Sequence, residues 1–264
     1  MHPARDALCC TKVVYQMFHK QVRLANTVFC VDSTMDMEWG ATLKLFQYDG
    51  EADINVLVRY GEAGEEIGYK QVIEKDNGFS IVIPEGVYPR LTLWHILSML
   101  PMERILMDRG TMILHASYLL HNDQAILFCG PSGIGKSTQG GLWEAAGEGI
   151  VINGDRVLLT PTEHGVQVDS HYLSGTSGIC FNMTASLKSI VLLAKGQSNT
   201  ICIPSALERF KQIICQLSYY PDDPRQRFRV MELTEVLLSK ANVLCYTCRK
   251  DESAVFRLKD YLFQ

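Results

Sequence analysis

Gly130, Pro131, Ser132, Gly133, Ile134, Gly135, Lys136, Ser137 and Thr138 are the residues whose types and spacing most directly suggest chemistry. Together they fill every position of the P-loop pattern G-x-x-x-x-G-K-[ST]. The three glycines let the backbone bend so that successive N–H groups point at one anion. A helix starting just after them would add its positive end to that field. Lys136 then offers a mobile charge for the β- and γ-phosphates of a nucleotide, and Ser137 a hydroxyl for Mg²⁺. The flanks agree, because residues 124–129 are apolar and strand-like and residues 139–146 can be helical. The competing explanation is a glycine-rich turn that happens to end in Lys-Ser, and the completeness of the pattern argues against it.

A phosphate cradle needs a carboxylate to help hold the metal. Asp155, in I-V-I-N-G-D-R-V, ends an apolar run nineteen positions after Lys136. That places it at the end of the strand following the loop helix, and pairs it with Ser137 as the expected Mg²⁺ ligands. An Asp in a Gly-Asp hairpin turn is the alternative. His115, in M-I-L-H-A-S, lies on a strand expected to pair with the one feeding the loop. From the residues alone it stands open between a core histidine and a group lying over the γ-phosphate.

The elements that must position these residues follow from periodicity. Residues 1–90 read as a β-rich N-terminal region, with apolar runs at 13–18, 28–31, 43–48, 54–58 and 79–83 separated by turn signals such as Asp49-Gly50 and Asp76-Asn77-Gly78. Asp32, Asp36 and Glu38 could be paired carboxylates there, but a solvated strand edge explains them equally. Residues 91–108 are helical in pattern with a break at Pro101. From 110 the expected order is a hairpin (111–120 and 124–129), the loop and its helix, a strand at 149–153, a hairpin (156–160 and 166–168), and a small-residue loop at Ser174, Gly175, Thr176 and Ser177. Then come a strand at 189–193, helices at 205–217 and 226–241, a strand at 243–246 and a helix at 252–262. The division expected is 1–90 and 91–264.

The 264 residues are 47% hydrophobic and 20% charged, proportions of a folded chain rather than a disordered one. A net charge of −4 gives no general attraction to nucleic acid or anionic lipid. No long uncharged apolar run and no signal-peptide pattern is present, so a cytoplasmic protein without a membrane partner is expected. Nine scattered cysteines read as free thiols, with Cys129 and Cys202 expected to be buried in apolar runs. Cys245 and Cys248 form a C-x-x-C, but on a strand they would face opposite sides and read as two strand cysteines rather than a redox or zinc pair.

Taken together, L-H-A-S, a hairpin, G-P-S-G-I-G-K-S-T, a short helix with Leu142-Trp143, and I-N-G-D-R-V resemble the HPr kinase and phosphoenolpyruvate carboxykinase (ATP) superfamily, in particular its short bacterial HPr-kinase-like members. The tail C-Y-T-C-R-K-D-E-S-A-V-F-R-L-K-D-Y-L is similar to theirs. The resemblance covers about residues 90–264 and is densest over 110–160. It implies an α/β (α+β-like) fold with a P-loop kinase core and a mixed sheet, and ATP with Mg²⁺. It also implies catalytic roles for Lys136, Asp155 and His115. The reaction implied is transfer of the γ-phosphate to a hydroxyl, on a peptide or small-protein serine or a small molecule, with Ser174–177 as an acceptor-side wall and homo-oligomers common among relatives. Two departures matter. The family's Asp-Asp pair is here Gly154 and Asp155, and a proline–tryptophan pair near the small-residue loop is replaced by Tyr172-Leu173. The first keeps a second expectation in view, a non-catalytic nucleotide-binding regulator. The basic pattern of a carboxykinase is absent.

Overall fold

The computed structural model describes residues 16–264 apart from positions 41, 63, 64, 66, 69, 87 and 89. It is a mixed α/β structure with two mixed sheets. The first holds β1 (Phe18–Leu24), β2 (Thr27–Ser33), β3 (Ile54–Tyr60), β4 (Gln71–Lys75) and β5 (Gly78–Ile83) in the order β1-β2-β3-β5-β4. β3 runs parallel to both β2 and β5, while the outer pairs are antiparallel hairpins. One face carries Val22, Leu24, Phe29, Val31, Val56 and Ile81 into a core. Two short helices, α1 (Leu93–Met99) and α2 (Met102–Asp108), bury Leu93, Ile96, Leu97 and Leu106 in that same core. Thr92 caps α1 through a reciprocal bond pair with His95, and Pro101 separates the helices.

The second sheet contains β6 (Met112–His121), β7 (Gln124–Cys129), β8 (Ile150–Asn153), β9 (Arg156–Thr162), β10 (Gly165–Ser170), β11 (Thr184–Lys195), β12 (Thr200–Cys202) and β13 (Val243–Cys248). Its order is β10-β9-β6-β7-β11-β13-β12, with β8 paired to β6. A further antiparallel register between β10 and the start of β11 closes five of these strands on themselves. β7, β11 and β13 are mutually parallel, and both of their faces are covered. On β7, Ala125, Leu127 and Cys129 face α4 (Ala206–Ile214) and α5 (Pro224–Lys240), whereas Ile126 and Phe128 face α3 (Lys136–Ala145) and α6 (Glu252–Phe263). Burial on both sides is why this strand reads as an unbroken apolar run. Trp143, fully buried, is the large anchor of the α3 side.

Several expectations change. Residues 43–48, read as a strand, contain a 3₁₀ turn at Leu43–Phe46 whose i and i+3 residues are both buried. The run at 13–18 lies outside the described residues except for its end, and the strand itself is β1, whose alternation is masked by His19, Lys20, Gln21 and Arg23. β4 and β12 are mostly exposed strands without an apolar face to announce them. α3 begins at Lys136, three residues earlier than expected. Cys202 is exposed rather than buried, because it lies on the short strand β12. Cys245 and Cys248 are free and pack against opposite faces of the sheet, as alternation requires. Among the described residues no helix is long and apolar enough to cross a membrane.

Candidate functional site

The glycine-rich loop joins the end of β7 to the start of α3. Gly130, Gly133 and Gly135 have φ of 143°, 73° and 122°, values that side-chain-bearing residues rarely adopt. Lys136, the first helical residue, is nearly buried. Its ammonium donates to the Gly130 carbonyl at 2.8 Å and to His115 Nε2 at 2.9 Å. Because Nε2 accepts, the ring proton of His115 sits on Nδ1, which stands 3.4 Å from Asp155 Oδ1. Lys136, His115 and Asp155 thus form one chain of contacts. Burial, then the neighbouring Lys136, lowers the His115 pKa below its ordinary value, so the ring is neutral at neutral pH. Burial likewise lowers the pKa of Lys136.

Asp155 lies in the turn between β8 and β9. Asn153 builds that turn, its Oδ1 accepting from the Asp155 and Arg156 N–H groups at 2.9 and 3.0 Å. Its amide donates to the carbonyls of His171 and Leu173 at 2.6 and 3.1 Å. The Asp155 carbonyl accepts from Ala116 N–H at 3.0 Å, which ties the turn to the residue after His115. β6 and β9 place His115 directly opposite Arg156. The sheet register, rather than side-chain flexibility, therefore brings the histidine and the carboxylate together.

A cavity of about 300 Å³ is lined by His115, by Ser132, Gly133 and Gly135–Thr138 of the loop, and by Gly154, Asp155, Ser174, Thr176 and Ser177. It gathers most of the residues singled out by sequence. Gly130, Pro131, Ile134 and Gly175 do not line it. Gly175, with φ of 56°, packs so closely that a Cβ there would come 2.7 Å from Asp155 Cγ. At Gly154 a Cβ would come 2.2 Å from Ser177 Oγ. The space a side chain at position 154 would enter is thus occupied by the small-residue loop.

No family model matches this chain, and no curated protein matches it. Among solved structures, it is similar to the HPr(Ser) kinase/phosphatase from Coxiella burnetii, over 56% of this chain and 98% of that one, with 13% identity and a TM-score of 0.31. That likeness is weak, and what the site can do is read from its own geometry.

A second cavity, of about 470 Å³, shares Gly135 and Thr138 with the first and extends between Leu193–Gln197 and Cys248–Asp251. It opens at the carboxyl ends of the parallel strands β11 and β13, beside the loop. Sequence reading missed it. The available signal was topological: ligands in α/β sheets collect outside the carboxyl ends of parallel strands. Gln139 closes its inner wall, donating to Cys248 Sγ at 3.1 Å.

Proposed function

We propose that this chain is an ATP- and Mg²⁺-dependent phosphotransferase that moves the γ-phosphate to a hydroxyl, with a peptide or small-protein serine as the favoured acceptor class. The observation that carries this reading is the continuous contact Lys136–His115–Asp155 in one cavity with a complete glycine-rich loop. The donor set suits the ligands. Positive-φ glycines and the start of α3 turn N–H groups toward an anion, and Ser137 and Asp155 supply hard oxygens on the same cavity. When bound, Mg²⁺ would be held by Ser137 and Asp155 and would offset charge on the phosphate oxygens. The adjoining cavity is of a size to take the nucleoside.

The protein's own groups then have defined tasks. Lys136 donates to His115 and Gly130. Phosphate oxygens compete for that ammonium, and its departure frees His115 Nε2 as a proton acceptor. Asp155 keeps the ring oriented through the Nδ1 side. The acceptor oxygen bonds to the γ-phosphorus, the bond from that phosphorus to the β–γ bridging oxygen breaks, and its electron pair leaves with ADP. The hydroxyl proton passes to His115 Nε2. A dissociative transition state asks little of the base, so one carboxylate and one histidine suffice. Ser174, Thr176 and Ser177 wall the acceptor side.

Transfer from γ-labelled ATP to peptide and lysate acceptors tests this. Lys136→Ala is expected to lower transfer on the order of a hundred- to a thousandfold, the cost of one lost transition-state donor. Tight ATP binding with neither transfer nor hydrolysis across those acceptors would sink the kinase and leave a nucleotide-binding regulator.

A further inference from the structure

The β1–β2 hairpin assembles a separate group of side chains. Its antiparallel register sets His19 opposite Asp32 and Gln21 opposite Cys30. Val22, Leu24, Phe29 and Val31 face the core, so alternation puts these four on the other face of the sheet. His19 Nδ1 lies 2.8 Å from Asp32 Oδ1 and 3.6 Å from Cys30 Sγ, and Cys30 Sγ lies 3.8 Å from Asp32 Oδ2. Around a tetrahedral cation with metal–sulfur bonds of about 2.3 Å and metal–nitrogen or –oxygen bonds of about 2.0 Å, ligand atoms stand roughly 3.3–3.6 Å apart. The observed separations bracket that range.

A nucleophile relay is the competing explanation, and the geometry speaks against it. Such a relay needs the thiol on one ring nitrogen and the carboxylate on the other. Here both crowd Nδ1, and one ligand atom from each of the three residues lies within 4.8 Å of the other two. Gln21 adds support. Its Oε1 accepts from Gly50 N–H at 3.0 Å, and its side chain also hydrogen-bonds Cys30, the residue opposite it in the hairpin. An amide beside a ligating sulfur is the outer support that metal sites use.

We propose that His19 Nδ1, Cys30 Sγ and the Asp32 carboxylate form a binding site for a zinc-class divalent cation, with water in the fourth position. Cys30 is buried, while the side chains of His19 and Asp32 are 55% and 42% exposed, so the cation enters from the surface over a sulfur floor. One nitrogen, one sulfur and one oxygen suit Zn²⁺ and exclude Mg²⁺ as the preferred ion. The site is built on the first sheet, and its existence does not depend on the kinase reading.

The experiment titrates the metal-free full chain with Co²⁺ and then Zn²⁺. One Co²⁺ per chain is expected, with a thiolate-to-cobalt charge-transfer band that Zn²⁺ removes. Cys30→Ser abolishes the band. His19→Ala weakens Zn²⁺ binding by about tenfold or more with an unchanged circular dichroism spectrum. Cys202→Ser, on an exposed thiol elsewhere, leaves the band in place. Absence of the band in the wild type, its survival in Cys30→Ser, its loss in Cys202→Ser, or unchanged Zn²⁺ affinity in His19→Ala overturns the proposal. If Cys30→Ser does not fold, His19→Ala decides, because His19 is exposed.

Discussion

His171 shows how a single buried group supports the site without touching the cavity. It is fully enclosed, its ring stacks on Tyr172, and Nδ1 accepts from Leu173 N–H at 3.0 Å. Its carbonyl receives the Asn153 amide, and Asn153 in turn shapes the turn that holds Asp155. Burial lowers the ring's pKa to about 3 from an ordinary value of 6.5. The sign follows from linkage: between those values the unfolded chain binds a proton that the folded chain refuses. This contribution is therefore complete above about pH 6.5 and shrinks as pH falls, by about 1.4 kcal/mol per unit within the window. Urea unfolding at stepped pH checks it. His171→Gln is expected to flatten the acid-side slope by up to one proton, and an unchanged slope would remove His171 as the cause.

At the scale of elements, the loop at Ser174–Gly178 and the β8–β9 turn form one unit. Ser177 Oγ donates to the Ser174 carbonyl at 2.6 Å and accepts from Ile179 N–H at 3.2 Å. It sits where a side chain at position 154 would go, with its Cβ 2.6 Å from the Cβ such a side chain would carry. Gly154→Asp must therefore displace the loop, at the cost of about 1–3 kcal/mol typical of overpacking. Adding Ser177→Gly should recover part of that, a coupling read in a double-mutant cycle by thermal unfolding. Strictly additive costs would mean the two segments do not share that space. Only the family resemblance marked Gly154 as the place of an absent acid; the contact that favours glycine there comes from a residue 23 positions away, which no local pattern encodes. The same division runs through the fold. β7 and the hairpin at Asn122-Asp123 were legible because burial and turn chemistry are local. β4 and β12 were not, since exposed strands are set by pairing with a neighbour. The Leu43–Phe46 turn imitated a strand because its i, i+3 apolar spacing lies inside a short apolar run. His19, Cys30 and Asp32 were separated along the chain and converge only through the hairpin register.

Across the whole molecule, the two sheets are joined by shared burial. The core under the first sheet also takes in Ile113 of β6, Leu158 of β9, Tyr172 and Cys180. Ile113 and Leu158 face each other across the β6–β9 ladder, two residues from the His115–Arg156 pair at the site. A ligand gripped at the glycine loop should therefore stabilise both sheets, provided that opening the first sheet also opens this shared core. Nucleotide at a hundred times its dissociation constant adds about 2.7 kcal/mol to the folded state. For a chain of this size that raises Tm by roughly 5–10 °C. We expect Mg²⁺–ATP to give one unfolding transition shifted by that amount, with the shift lost in Lys136→Ala. Hydrogen exchange supplies the regional test: amides of Val56 and Val58 on β3 should gain protection together with those of Leu127 and Phe128 on β7. Protection confined to β7 and its neighbours would mean that the first sheet opens on its own, and that the apolar contacts through Ile113 and Leu158 are too weak to carry binding energy between the sheets.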